Sequence, residues 1–175
     1  PSNLMLTAQG GVKILDLGLA LLSENGGPSA ADLTSPGQMM GTLDYMAPEQ
    51  GSSSHAVDIR ADIYALGAAL YRLLTGQAPF GDEQYNTPMK KLMALASEEE
   101  VPSLEAKRDD LPAELVAIVE RMLAKNPDAR FASPRQVADA LAPYAAASDL
   151  QQLLERAISD RSNRLGDESA VGTQE

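Results

Sequence analysis

The alternation of hydrophobic and polar positions changes rhythm several times along the chain, and each change predicts an element. Leu4 to Thr7 and Val12 to Leu15 are short apolar runs on either side of Ala8-Gln9-Gly10-Gly11. That is the pattern of a small β-hairpin with a Gly-rich turn, delivering Asp16 at its far end. From Leu21 to Met40, Ser, Gly, Pro and Asn occur without a period, so a long loop is expected. Residues 41 to 50, GTLDYMAPEQ, follow neither the helical nor the strand period. The residue before Pro48 is biased toward extended backbone, and the stretch is expected to be an ordered loop.

Helical spacing dominates the rest. Asp58 to Thr75 is apolar nearly all round (Ile59, Ile63, Leu66, Leu70, Leu73), which predicts a helix buried on every side and stopped by Gly76. Thr87 and Pro88 form an N-cap and first-turn pair for a helix carrying Leu92, Met93 and Leu95 inward, with Glu98 to Glu100 ending it in solvent. Leu115, Ile118, Val119, Met122 and Leu123 mark another helix, broken by Pro127. Ser133-Pro134-Arg135-Gln136 is a capping-box pattern opening a helix through Val137 and Leu141. Ser148 to Ile158 reads as an amphipathic helix with Leu150, Leu153, Leu154 and Ile158 on one face, and the chain is polar without a period from Ser159 onward.

Composition narrows what such a body can do. The chain has 175 residues, 44% of them hydrophobic, enough for one globular core. Cysteine is absent, which excludes disulfides and thiolate metal sites. The net charge of -11 leaves no basic stripe to neutralise phosphates, so nucleic acid is not expected as a partner. No apolar run reaches bilayer length. The single histidine, His55, sits in a small polar loop after three serines and reads as solvated. Pro1 stands where an initiator Met would, so the chain is expected to be a piece of a longer protein.

Pro1-Ser2-Asn3, Asp16-Leu17-Gly18, Gly41-Thr42, Ala47-Pro48-Glu49, Asp62 within Asp-Ile-Tyr-Ala-Leu-Gly, and Arg130 after Asn126-Pro127-Asp128 are short motifs that mean little singly. In this order and spacing, from Pro1 to about Tyr144, they resemble the C-terminal lobe of a eukaryotic-like, bacterial-type serine/threonine protein kinase. The resemblance implies an α+β, protein-kinase-like fold, mainly α-helical with one small β-hairpin. It implies a partial kinase domain over 1–145 with an activation segment over 16–49. A juxtadomain helix over 146–158 and a polar tail over 159–175 are expected to follow. It also implies transfer of the ATP γ-phosphate to Ser or Thr hydroxyls of a protein substrate, with Mg²⁺ as the second cofactor.

Residue by residue, the resemblance makes Asn3 and Asp16 the oxygen ligands of Mg²⁺, which as a hard cation prefers such donors. Leu17 replaces the usual Phe beside that Asp and keeps an apolar packing residue. Thr42 is the residue expected to favour hydroxyl amino acids over tyrosine. Glu49 and Arg130 are expected to form a shielded ion pair that braces the segment. Asp62 resembles the Asp that holds the catalytic-loop backbone, or is a favourable charge in a first helical turn. Thr34 is the first candidate for a regulatory phosphate, with Ser35 and Ser29 as alternatives.

A Gly-rich phosphate loop, its Lys–Glu pair and the His-Arg-Asp sequence are not in this chain, and all would precede Pro1. The sequence therefore reads as truncated rather than degenerate, and alone it is expected to be inactive and to bind little ATP. The alternatives are a pseudokinase-like interaction module and a purely structural helical domain; retention of Asn3 and Asp16 argues against the first and the motif order against the second. The parent is expected in the cytoplasm, with room for a membrane anchor beyond residue 175.

Overall fold

A computed structural model describes residues 3–15, 41, 43–51, 57–146 and 149–159. The chain divides into two compact units: Ser23–Ala145, with Pro1, and Ser2–Leu22 with Ala146–Glu175.

In the smaller unit, β1 (Leu4–Leu6) pairs antiparallel with β2 (Val12–Ile14), with Leu4 opposite Ile14 and Leu6 opposite Val12. The turn between them closes on Thr7: its carbonyl accepts from Gly10 N at 2.9 Å and its hydroxyl from Gly11 N at 3.0 Å. Gly10 has a φ of 75°, and a Cβ there would lie 3.2 Å from the backbone N of Gln151, so glycine suits both the turn and the close approach. That neighbour belongs to the helix over 150–159 (α6), whose bounds lie slightly later than expected. Leu153 and Ile158 are exposed there, so the anticipated apolar face is only partly covered.

The larger unit is a helical body, as the periodicity predicts. Residues 41–50 are not wholly loop: Pro48–Gly51 form a one-turn helix, α1. A proline ring restricts φ to near the helical value, which suits Pro48 to the first helical position, and Gln50 Oε1 accepts from Ala47 N at 2.9 Å, which satisfies a donor at the helix start. α2 (Ile59–Thr75) begins at Asp58, whose carboxylate accepts from Arg60 N at 2.9 Å, and ends at Gly76 with φ 80°. It is not buried on every side, since Ile59, Leu66 and Leu73 are exposed; Ile63, Tyr64, Ala68 and Tyr71 form its core stripe. α3 (Pro88–Ala96) starts at Thr87, whose hydroxyl accepts from Lys90 N at 3.3 Å. Met93 points outward rather than inward, because the stripe that reaches the core is Lys91, Ala94 and Leu95.

α4 (Ala113–Met122) and α5 (Pro134–Ala145) complete the body. α2 and α4 cross at Gly67, where an added Cβ would come within 2.8 Å of Met122 Cβ. Ser133 Oγ accepts from Gln136 N at 3.4 Å, as a capping box requires, but Gln136 Oε1 reaches back to Ala132 N at 2.9 Å, one residue before the N-cap Ser133. The core gathers Tyr64, Tyr71, Leu104, Val119 and Leu123 between α2, α3 and α4, with Phe80 and Tyr85 packed edge to face at 5.2 Å. Ile63, Met122, Phe131 and Val137 fill a second cluster under α5. Among the described residues no helix is long and apolar enough to cross a membrane.

Candidate functional site

Residues 43–51 run across the helical body, anchored by Leu43 and Ala47, both buried. Between and beyond these anchors the segment carries two carboxylates, Asp44 and Glu49. Each meets one of the two buried charged side chains, Lys91 and Arg130, found among the described residues.

Arg130 follows the 3₁₀ turn Pro127–Ala129, itself started by Asn126, whose side chain accepts from Asp128 N at 2.9 Å. This turn aims the guanidinium inward, where Nη1 and Nη2 donate to Glu49 Oε1 and Oε2 at 2.7 and 2.8 Å. The remaining donors reach Arg60 O at 2.9 Å, Ala124 O at 2.8 Å and Lys125 O at 3.1 Å. The planar fork is thereby saturated, and its face lies 5.0 Å from the ring centroid of Tyr64. The Arg130 side chain is 0% exposed and that of Glu49 12%. Burial pushes the Glu49 carboxyl up, but the Arg130 hydrogen bonds, the backbone and the guanidinium charge outweigh it and hold the group below the usual carboxylate range.

Asp44 and Lys91 form the other pair, with side chains 11% and 7% exposed. Arg72, from α2, lies 3.6 Å from the second Asp44 oxygen and donates to the Tyr45 hydroxyl at 3.2 Å. Burial raises the Tyr45 phenol above its ordinary value, partly offset by that Arg72 charge. The sequence reading gave none of Asp44, Lys91 or Arg72 a role. The available signal was Lys91 itself, a cation on the same helical stripe as Ala94 and Leu95.

Beside the segment, α1, α3 and the Lys125–Asn126 turn bound an open groove of about 680 Å³, lined in part by Pro48, Leu92, Leu95 and Glu98. Lys125 seals its floor: Nζ donates to Ala94 O, to Leu95 O at 3.1 Å and to Ser97 O at 3.4 Å, capping the end of α3. Burial depresses the Lys125 ammonium below its ordinary value.

Asn3 stands at the open end of the hairpin, exposed, and its carbonyl accepts from Leu15 N at 2.7 Å. The pairing thus sets Asn3 beside the residue that precedes Asp16 in sequence. Asp16, Thr34, Thr42 and His55 lie outside the described residues. Asp62 is exposed in the first turn of α2. Among the described residues no group of three or more His, Cys, Asp or Glu could hold a metal ion.

The protein kinase domain family matches this chain over residues 1–142. Serine/threonine-protein kinase PknB of Mycobacterium tuberculosis is 36% identical over 131 residues, which are 75% of this chain and 20% of that protein. Tyrosine-protein kinase MasK of Myxococcus xanthus is 42% identical over 144 residues, 82% of this chain and 21% of its own length. Serine/threonine-protein kinase PknL of Mycobacterium tuberculosis is 35% identical over 133 residues, 75% of this chain and 31% of its own length. The chain thus spans between a fifth and a third of these relatives. It belongs to the protein kinase domain family.

Proposed function

We propose, from that membership, that the chain is part of a protein kinase that transfers the γ-phosphate of ATP to Ser or Thr hydroxyls of a protein substrate. The observation that carries this reading is the segment 43–51, tied to the helical body by Glu49 and Arg130 in the family's motif order. In this reading residues 1–145 are the partial kinase domain, the clamp braces the end of the activation segment, and the loop before it holds the acceptor.

Asn3 and Asp16 would hold Mg²⁺. The donor chemistry fits, since both offer hard oxygens, and the Asn3–Leu15 pairing brings position 3 beside the residue adjoining Asp16. Bound to the nucleotide, the metal supplies charge neutralisation on the phosphates. In this reading Thr42 would orient the acceptor hydroxyl and Asp62 would support the catalytic-loop backbone. A phosphate on Thr34 would regulate the segment by finding a cationic partner. The enzyme would work in the cytoplasm.

Transfer to tyrosine is a second reading, favoured by one observation, the similarity to a relative named as a tyrosine-protein kinase. The test is phosphoamino-acid analysis of acceptor peptides after incubation of the full-length protein with labelled ATP and Mg²⁺. Phosphoserine or phosphothreonine is expected, with loss of turnover in Asp16→Asn. Phosphotyrosine alone would favour the second reading. No transfer from a folded, nucleotide-bound protein would favour a pseudokinase-like interaction module.

A further inference from the structure

We infer that Lys91 is a positioning residue for the loop 43–47, acting through Asp44, so that a side chain on α3 sets how tightly the acceptor protein is held. The inference rests on the proposed function for what the loop binds, and on geometry for how the loop is held.

Asp44 lies between two buried anchors, Leu43 and Ala47, so its backbone cannot move far without disturbing both. Its carboxylate is nearly enclosed, with Lys91 of α3 on one oxygen and Arg72 of α2 at 3.6 Å from the other. Arg72 also binds the Tyr45 hydroxyl, so two consecutive loop residues are tied to α2 and one of them to α3 as well. Lys91 shares its helical face with Ala94 and Leu95, which are core residues. The ammonium is therefore fixed by the packing of α3 rather than free to follow the carboxylate. An acidic side chain held in this way is spent internally and is withheld from basic groups on an acceptor.

Removing Lys91 alone strips the buried carboxylate of its nearer cation and leaves only the half-exposed Arg72, so the carboxylate is drawn toward Arg72 and solvent and carries the loop with it. Removing both charges leaves nothing to expel. A positioning role therefore differs from a merely structural one in which quantity changes.

In the full-length protein, Lys91→Met should raise KM for a threonine-containing acceptor peptide by about tenfold, with kcat and KM for ATP little changed. Asp44→Leu should act in the same direction. The double variant Asp44→Leu with Lys91→Met should return peptide KM to within about threefold of the parent, a non-additivity that independent sites do not show. Amide hydrogen exchange over 43–47 should quicken in Lys91→Met by more than it does in α2 and α4. An unchanged peptide KM in a folded Lys91→Met would overturn the inference. So would a rise of peptide and ATP KM in step with a lowered melting temperature. If the unaltered protein transfers no phosphate, that result counts against the proposed function, and hydrogen exchange alone decides on Lys91: unchanged exchange at 43–47 rejects the positioning role.

Discussion

Glu49 and Asp44 sit five residues apart in one segment and each faces a buried cation, yet the two pairs are built differently. Arg130 spends one planar fork on a bidentate carboxylate and three backbone carbonyls, so the charge, the shape and every donor are matched at once. Lys91 is a point charge set against one carboxylate, with Arg72 standing by at 3.6 Å and 45% exposed. The first pair binds three stretches of chain into one bracket. The second has a reserve cation that solvent can reach, and this makes it adjustable. Arginine and lysine are not interchangeable in these positions.

Breaking the bracket should have the largest effect on stability. Arg130→Met takes the guanidinium from the buried Glu49 carboxylate and a donor from each of three carbonyls, and loss of one side of a buried pair costs about 3–5 kcal/mol. For a domain of this size each kcal/mol lowers the melting temperature by about 2–4 °C, so calorimetry of the full-length protein should show the kinase-domain transition falling by about 6–20 °C. A shift of only a degree or two would mean that the bracket is not a stability element.

Lys91→Met should cost less, about 1–3 kcal/mol, because Arg72 can move onto Asp44. Adding Arg72→Met should then produce a further loss greater than Arg72→Met causes alone. Equal losses in the two backgrounds would show that Arg72 is no reserve.

The identity of the Glu49–Arg130 bracket was legible in the sequence because its two ends sit in short motifs with an expected order. The Asp44–Lys91 pair was not legible in that way. Its partners lie 47 residues apart in no motif, and only tertiary packing brings them together. Local chemistry was read well where one residue suffices to cause the structure: Gly76 in left-handed backbone ends α2, and Thr87 with Pro88 starts α3. Burial was read less well. α2 is apolar enough to be enclosed on all sides, but the described elements cover only part of it and leave Ile59, Leu66 and Leu73 exposed. α1 was missed because a single helical turn has no period to detect; Pro48 and Gln50 were its only signs. The regions expected to carry the metal ligand Asp16 and the phosphate acceptor Thr34 fall outside the described residues.

Acid should distinguish the bracket by a smaller effect. A carboxylate whose folded pKa lies below its unfolded value, about 4.3 for Glu, stabilises fully above that value and loses the contribution as pH falls through the folded pKa. Glu49 is such a group. Denaturant titrations from pH 6 downward should therefore show falling stability below about pH 4.3, with a shallower slope in Glu49→Gln. An identical slope in that variant would place the acid sensitivity elsewhere.

The smallest effect belongs to an exposed pair of similar length. Arg60 Nη1 meets Asp128 at 2.5 Å, but that carboxylate is 81% exposed. Asp128→Asn should change stability by under about 1 kcal/mol, and added salt should abolish even that. A loss comparable to that of Arg130→Met would remove burial as the reason the bracket matters.

The outward turn of α3 has a use of its own. Met89 and Met93 present their thioethers to solvent at 66% and 64% exposure, whereas Met122 is 0% exposed where α2 and α4 cross at Gly67. Peroxide converts accessible thioethers to sulfoxides and leaves enclosed ones untouched until the surrounding structure opens. Met89, Met93 and Met122 thus set two fast sites against a slow one of the same chemistry. A mass-spectrometric time course reads the opening of the helix crossing at Met122 against a clock set by Met89 and Met93, with no label introduced.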